Sequence, residues 1–306
     1  VPTEPPPPSI PARPFGSLIT AMVTPFTAEG KVDLPTAAEL AAHLVSKGND
    51  GLVVGGTAGE ASTMDEREKE ELIRVVKETV GDTASVIAGT GTNDTARSIT
   101  MSQRAAKAGA DGQLVVTPYF NKPTQSGLFE HFSSIAAATE LPMMLYDIPG
   151  RTGTAISTDT MRQLAENPRI VALKDAKADF TATTIIMAQT NLAVYAGDDA
   201  LALPWLTAGA AGLVSVTAHA APELFRELIN AVDHGNLPQA RQTHFALAPL
   251  VRAVMGHIPG AASAKHILHH QKILPRATVR APLTPPNSRE AANIAAELEE
   301  TPWDLS

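Results

Sequence analysis

The sequence predicts a closed (β/α)8 barrel, the TIM-barrel form of the α/β class, with a C-terminal helical region. Three observations carry this. Eight short apolar, β-branched runs recur at 17–23, 51–55, 85–89, 112–116, 142–146, 170–173, 192–196 and 212–216. Longer segments with apolar residues at three- and four-residue spacing separate them. Runs without polar alternation belong to strands buried on both faces, the habit of parallel sheets, and eight strand–helix units close most naturally on themselves. Finally, no dinucleotide-type glycine fingerprint follows the first run, which disfavours an open doubly wound sheet.

Taken in order, residues 1–14 hold prolines at 2, 5, 6, 7, 8, 11 and 14 and read as a disordered tail. Residues 15–236 form the barrel. Within it, Asp65-Glu66-Arg67-Glu68 opens a helix with acids in its first turn. A second begins at Asn93 or Asp94 as cap and closes at Gly109. After residue 236 the strand runs stop, and 238–254, 261–271 and 287–300 read as helices within a C-terminal region, 237–306, with 275–286 as a proline-punctuated connector.

Composition narrows the function. The 306 residues contain no cysteine, which removes disulfides, thiolate metal sites and a thiol nucleophile. Lys+Arg 24 against Asp+Glu 32 gives a net charge of −8, the wrong field for nucleic acid or an anionic membrane. No apolar run approaches the roughly 18 residues of a membrane span, and no basic-then-apolar stretch opens the sequence, so a cytoplasmic location is expected. The nine histidines are scattered; the one cluster, His266, His269 and His270, falls on a C-terminal helix, and no metal site is expected. Neither a Gly-x-Ser-x-Gly elbow nor a Walker-type phosphate loop is present.

Active sites of such barrels lie at the C-terminal ends of the strands. Of ten lysines, only Lys174 closes an apolar strand run. A free amine there is a nucleophile toward carbonyl carbon, which is Schiff-base chemistry; the alternative is a lysine that snorkels to solvent. Tyr146 closes the neighbouring run, either facing the same cavity or packing at its mouth. Thr57 lies in a glycine-rich turn, 55–60, whose backbone N–H groups could hold a carboxylate.

At these residues the chain resembles the dihydrodipicolinate synthase family of pyruvate-dependent class I aldolases. The motifs stand as Gly-Thr-Ala-Gly-Glu at 56–60, Thr-Pro-Tyr-Phe-Asn-Lys-Pro at 117–123, Tyr-Asp-Ile-Pro-Gly-Arg-Thr at 146–152 and Leu-Lys-Asp-Ala at 173–176. The resemblance implies a homotetramer of two tight dimers. It implies that Lys174 forms an imine with pyruvate, that Tyr146 relays protons, and that Thr57 links the tyrosines of the relay. It further implies that Gly197 and Val214 line the pyruvate pocket and that Arg151 holds the carboxylate of aspartate semialdehyde, a task suited to a guanidinium fork. No cofactor is implied. Two positions depart from the family pattern: Ala58 replaces a threonine whose hydroxyl binds the pyruvate carboxylate, and Phe120 replaces the tyrosine that reaches across the dimer, leaving Tyr119 as a partial substitute. The expected activity is condensation of pyruvate with L-aspartate-4-semialdehyde to 4-hydroxy-tetrahydrodipicolinate, for lysine and diaminopimelate biosynthesis. The alternatives are another 2-keto-acid aldolase of the family and a keto-acid-binding pseudoenzyme.

Overall fold

A computed structural model describes residues 12–302. Eight parallel strands close in sequential order into one barrel. Its first half runs β1 Leu18–Ala21, α1 Leu34–Ser46, β2 Gly51–Val54, α2 Glu66–Val80, β3 Ser85–Gly89, α3 Thr95–Lys107, β4 Gly112–Val116 and α4 Gln125–Ala137. The second half runs β5 Met143–Asp147, α5 Pro149–Thr152, α6 Thr158–Leu164, β6 Ile170–Asp175, α7 Phe180–Gln189, β7 Ala193–Ala196, α8 Ala202–Thr207, β8 Gly212–Ser215 and α9 Pro222–Asp233. Three helices follow: α10 Leu237–Met255, α11 Gly260–His270 and α12 Ser288–Glu300.

Local chemistry sets the helix starts. Asp65 accepts a hydrogen bond from the Glu68 backbone N–H at 2.9 Å while the Glu68 carboxylate accepts from the Asp65 N–H at 3.0 Å, a reciprocal cap on α2. Of the two candidate caps for α3, Asp94 is used: its side chain accepts from Ala96 N–H at 2.9 Å.

The strands are short, and their side chains alternate between two apolar layers. Ile19, Val53, Ile87, Leu114, Met144, Ala172, Tyr195 and Val214 fill the barrel, whereas Leu18, Leu52, Val86, Val115, Leu145, Leu173, Val194 and Leu213 pack outward under the helices. Phe15 plugs the bottom of the barrel. A Cβ on Gly112 would stand 2.4 Å from the Phe15 ring, so only glycine admits the plug.

Residues 1–11 of the expected proline-rich tail and 303–306 of the C-terminal region lie outside the described residues. The end of the tail is not free, however. Arg13 donates to both carboxylate oxygens of Asp233 at 2.7 Å and to the Ala211 carbonyl at 2.8 Å, so the chain is already held before Phe15. A guanidinium fork offsets the ordering entropy that proline composition alone does not reveal. No single helix among the described residues is long and apolar enough to cross a membrane.

One buried ion pair joins the C-terminal region to the barrel. Glu60, held in the left-handed region at φ 57°, accepts from Lys265 Nζ on α11 and, through its other oxygen, from Arg280 N–H at 2.8 Å. Lys265 is fully buried, donates also to the Thr278 carbonyl at 2.9 Å, and lies 4.1 Å over the Phe26 ring. The Arg280 guanidinium continues to Gly30 O at 2.8 Å, Thr63 O at 2.7 Å and Glu68 at 2.8 Å. Removing one partner of a buried pair costs about 3–5 kcal/mol. Lys265→Met is therefore expected to lower the unfolding free energy from urea titration by an amount in that range, and a value equal to the parent's would show that the pair carries no net stability.

Candidate active site

Register and alternation place the central pair. β5 and β6 are aligned so that Tyr146 is opposite Lys174 and Asp147 opposite Asp175. Because Met144 and Ala172 face the interior, Tyr146 and Lys174, two residues on, face it one layer nearer the strand ends. Lys174 is 5% exposed and its Nζ lies 4.4 Å from the Tyr146 ring centroid. It does not snorkel to solvent. Gly197, at the end of β7, makes the room: a Cβ there would stand 3.0 Å from Lys174 Cε and Cγ and 2.9 Å from the Asp175 carbonyl.

Lys174, Tyr146, Ala58, Thr57, Gly197 and Arg151 border one cavity of about 210 Å³. Its outer wall comes from the C-terminal region, through Met255, Pro259–Ala261 in α11's first turn, and Pro282 and Leu283 of the connector. The strand-eight contribution differs from the expected one. Val214 is packed in the interior layer, while Val216 on the same face, one layer higher, lines the cavity. Val216 is fixed from both sides: its N–H donates to Asp199 at 3.2 Å, and its carbonyl accepts from His219 Nδ1 at 2.7 Å. His219 Nε2 in turn accepts from Val23 N–H at 3.0 Å, and complete burial pushes its pKa down to about 4, so it is a neutral strut between the first and last strand loops.

Arg151 sits on the four-residue α5, which opens with Pro149 and closes at left-handed Gly153. Its side chain is exposed at the cavity mouth and has no carboxylate partner among the described residues. A second, outer chamber of about 370 Å³ shares Thr57, Tyr146 and Arg151 with the first and also takes in Tyr119. Phe120 does not enter either one. It is 90% exposed, on a backbone at φ 74°. Thr57, Tyr119 and Tyr146 share no hydrogen bond among the described residues, so the expected hydroxyl relay is not assembled within one chain.

Asp147 and Asp175 escaped the sequence reading, although they stand inside two of its motifs. Alternation turns both away from the cavity, where they fasten the loops that follow Tyr146 and Lys174. Asp175 accepts from Lys177 N–H at 3.0 Å and Ala178 N–H at 3.2 Å. Asp147 is fully buried, accepts from Ile156 N–H at 3.3 Å and faces Lys177 Nζ at 3.4 Å. Burial pushes its pKa up to about 6, against the opposing pull of Lys177. The outer-wall residues also went unread, because no local pattern ties 255–261 or 282–283 to the strand ends. No group of three or more potential ligands for a metal occurs among the described residues, and the three clustered histidines lie on α11 away from both chambers.

A (β/α)8 barrel that sets a buried lysine beside a tyrosine at adjacent strand ends has the build of an enzyme active site. The model of the Dihydrodipicolinate synthetase family matches residues 14–301, and the chain belongs to that family. It is 50% identical over 288 residues to a 4-hydroxy-tetrahydrodipicolinate synthase of Kineococcus radiotolerans, covering 94% of each chain. It is 47% identical over 287 residues to the enzyme of the same name from Corynebacterium diphtheriae, covering 94% of this chain and 95% of the other. Among solved structures, dihydrodipicolinate synthase of Cyanidioschyzon merolae, with lysine bound, superimposes with a TM-score of 0.92 at 40% identity, over 95% of this chain and 99% of that one. The Bacillus anthracis synthase gives 0.92 at 38% identity, over 94% and 99%.

Tyr146→Phe keeps the ring beside Lys174 and removes only the hydroxyl. It is expected to lower kcat by about 10²–10⁴-fold, the usual contribution of a general acid–base group, with little change in substrate KM. An unchanged kcat would reduce Tyr146 to a packing role.

Proposed function

We propose that the protein condenses pyruvate with L-aspartate-4-semialdehyde to 4-hydroxy-tetrahydrodipicolinate, in the cytoplasm and as a homotetramer of two tight dimers. The observation that carries this is the Lys174 amine, buried within a small cavity whose mouth presents the unpaired guanidinium of Arg151. A nucleophile for a keto carbon and a fork for a second carboxylate thus face one space.

In the proposed reaction, Lys174 Nζ attacks the keto carbon of pyruvate and water leaves, giving an imine. Loss of a methyl proton gives the enamine, whose carbon bonds to the aldehyde carbon as the aldehyde oxygen takes a proton. The amino group of the semialdehyde then adds to the imine carbon, closing the ring and expelling Lys174. Tyr146 shuttles the protons, with Thr57 and Tyr119 as further hydroxyls, and Arg151 holds the semialdehyde carboxylate. Neither metal nor organic cofactor has a role in these steps.

Ala58 and Phe120 favour a second reading, in which the same imine chemistry serves another aldehyde. Ala58 borders the Lys174 cavity without a hydroxyl, so the backbone N–H groups of the 55–60 turn must hold the pyruvate carboxylate. A hydrogen bond to a charged group is worth about 1.5–3 kcal/mol, and Ala58→Thr is expected to improve pyruvate affinity about tenfold or more. The deciding assay is steady-state turnover of pyruvate with aspartate semialdehyde, coupled to the reductase that consumes the product. Turnover there, exceeding that with other aldehydes, is the expected result. Preference for another aldehyde, with no gain from Ala58→Thr or Phe120→Tyr, would transfer the protein to the second reading; binding of pyruvate without turnover of any aldehyde would make it a pseudoenzyme.

A further inference from the structure

Two buried acids end strands β5 and β6, and the steps of the condensation use neither. Asp147 and Asp175 lie opposite each other in the strand register, on the outward face of the barrel. They are satisfied differently. Asp175 accepts from the N–H groups of Lys177 and Ala178 and from the Thr183 hydroxyl. Asp147 accepts one hydrogen bond, from Ile156 N–H, and its second oxygen accepts none. The one cation paired with that oxygen among the described residues is Lys177 Nζ, at 3.4 Å.

These contacts join two loops. Asp147 precedes the segment 148–155, and its carboxylate holds the N–H of Ile156 where that segment returns, so one side chain pins both ends of the excursion that carries Arg151. On the other side, Asp175 bends the chain after Lys174, with Ala178 in the left-handed region at φ 61°, and from within that bend Lys177 faces Asp147. The backbone repeats the link, since Ala176 N–H donates to the Asp147 carbonyl at 2.9 Å. Neither Asp147 nor Lys177 lines either chamber. A buried ion pair often adds no net stability over apolar residues of the same volume; what it can supply is one fixed arrangement, here of the Arg151 loop against the end of β6.

We propose that Asp147 and Lys177 are positioning residues for the aldehyde substrate: their ion pair holds the 148–155 loop so that the Arg151 guanidinium faces the Lys174 cavity. This rests on the assignment of Arg151 to the semialdehyde carboxylate. The pair acts on the second half of the reaction, because pyruvate meets Lys174 inside a cavity that neither residue lines.

Asp147→Asn and Lys177→Met, alone and together in the full chain, test it at pH 8, where a carboxyl whose pKa is about 6 is ionised. Asp147→Asn keeps an oxygen for Ile156 N–H and removes the charge. In each variant kcat/KM for aspartate semialdehyde is expected to fall about tenfold or more, chiefly through KM, the scale on which a misplaced substrate clamp acts, while kcat/KM for pyruvate and borohydride trapping on Lys174 stay within about twofold. The double variant is expected to lose no more than the worse single one, as residues that share one contact do. Hydrogen exchange needs no turnover: peptides spanning 148–156 are expected to exchange about tenfold or more faster in each variant, with those of β1 to β3 unchanged. If Lys177→Met does not fold, Asp147→Asn decides alone. Equal losses for both substrates, unchanged semialdehyde kinetics, additive losses in the double variant, or unchanged exchange at 148–156 would each overturn the proposal. If the parent protein itself does not turn over aspartate semialdehyde, the assigned acceptor falls rather than the pair, and exchange at 148–156 then decides the pair.

Discussion

The pairing of β5 with β6 is the constraint from which the site follows. Parallel hydrogen bonding sets Tyr146 opposite Lys174, and the period of two in a strand then decides everything nearby. The Tyr146 and Lys174 side chains face the barrel axis, and the acids that follow them, Asp147 and Asp175, face the helices. A slip of one residue would exchange these sets, placing two carboxylates in the cavity and burying an amine and a phenol beneath apolar helices. Closure of the sheet leaves no edge at which such a slip could be absorbed.

A second dependency runs through Glu60. Both of its oxygens are spent on the C-terminal region, one on Lys265 and one on the Arg280 N–H, while its backbone ends the turn that carries Thr57 and Ala58. The connector residues Pro282 and Leu283, which close the Lys174 cavity from outside, lie two and three positions after Arg280. The turn and the outer wall are thus located by the same carboxylate. A left-handed backbone at a non-glycine residue persists where the surroundings over-determine it, and here the Lys265 ammonium and the Arg280 backbone N–H do so.

Much of this was legible in the sequence because it is periodic or local. Uninterrupted β-branched runs marked the strands, acids at 65–68 marked the start of α2, and the position of Lys174, Tyr146 and Arg151 just at or beyond run ends marked the site. Depth along the barrel was not legible: Val214 and Val216 share a face, and alternation alone does not say which of the two reaches the cavity. Contacts between distant segments were equally silent. Nothing near Lys265 in sequence points to Glu60, and nothing in the proline-rich start points to the grip of Arg13 on Asp233. Asp147 and Asp175 were readable in principle, since the pattern that turns their neighbours inward turns them outward.

In the proposed reaction Lys174 is the nucleophile toward pyruvate. Incubation with pyruvate and borohydride, followed by peptide mass mapping, tests it most directly, because reduction traps only an imine formed by a free amine. The account predicts one reduced pyruvyl group, carried on Lys174 and absent from Lys174→Arg. An unmodified protein, or a label on Lys177 instead, would contradict it.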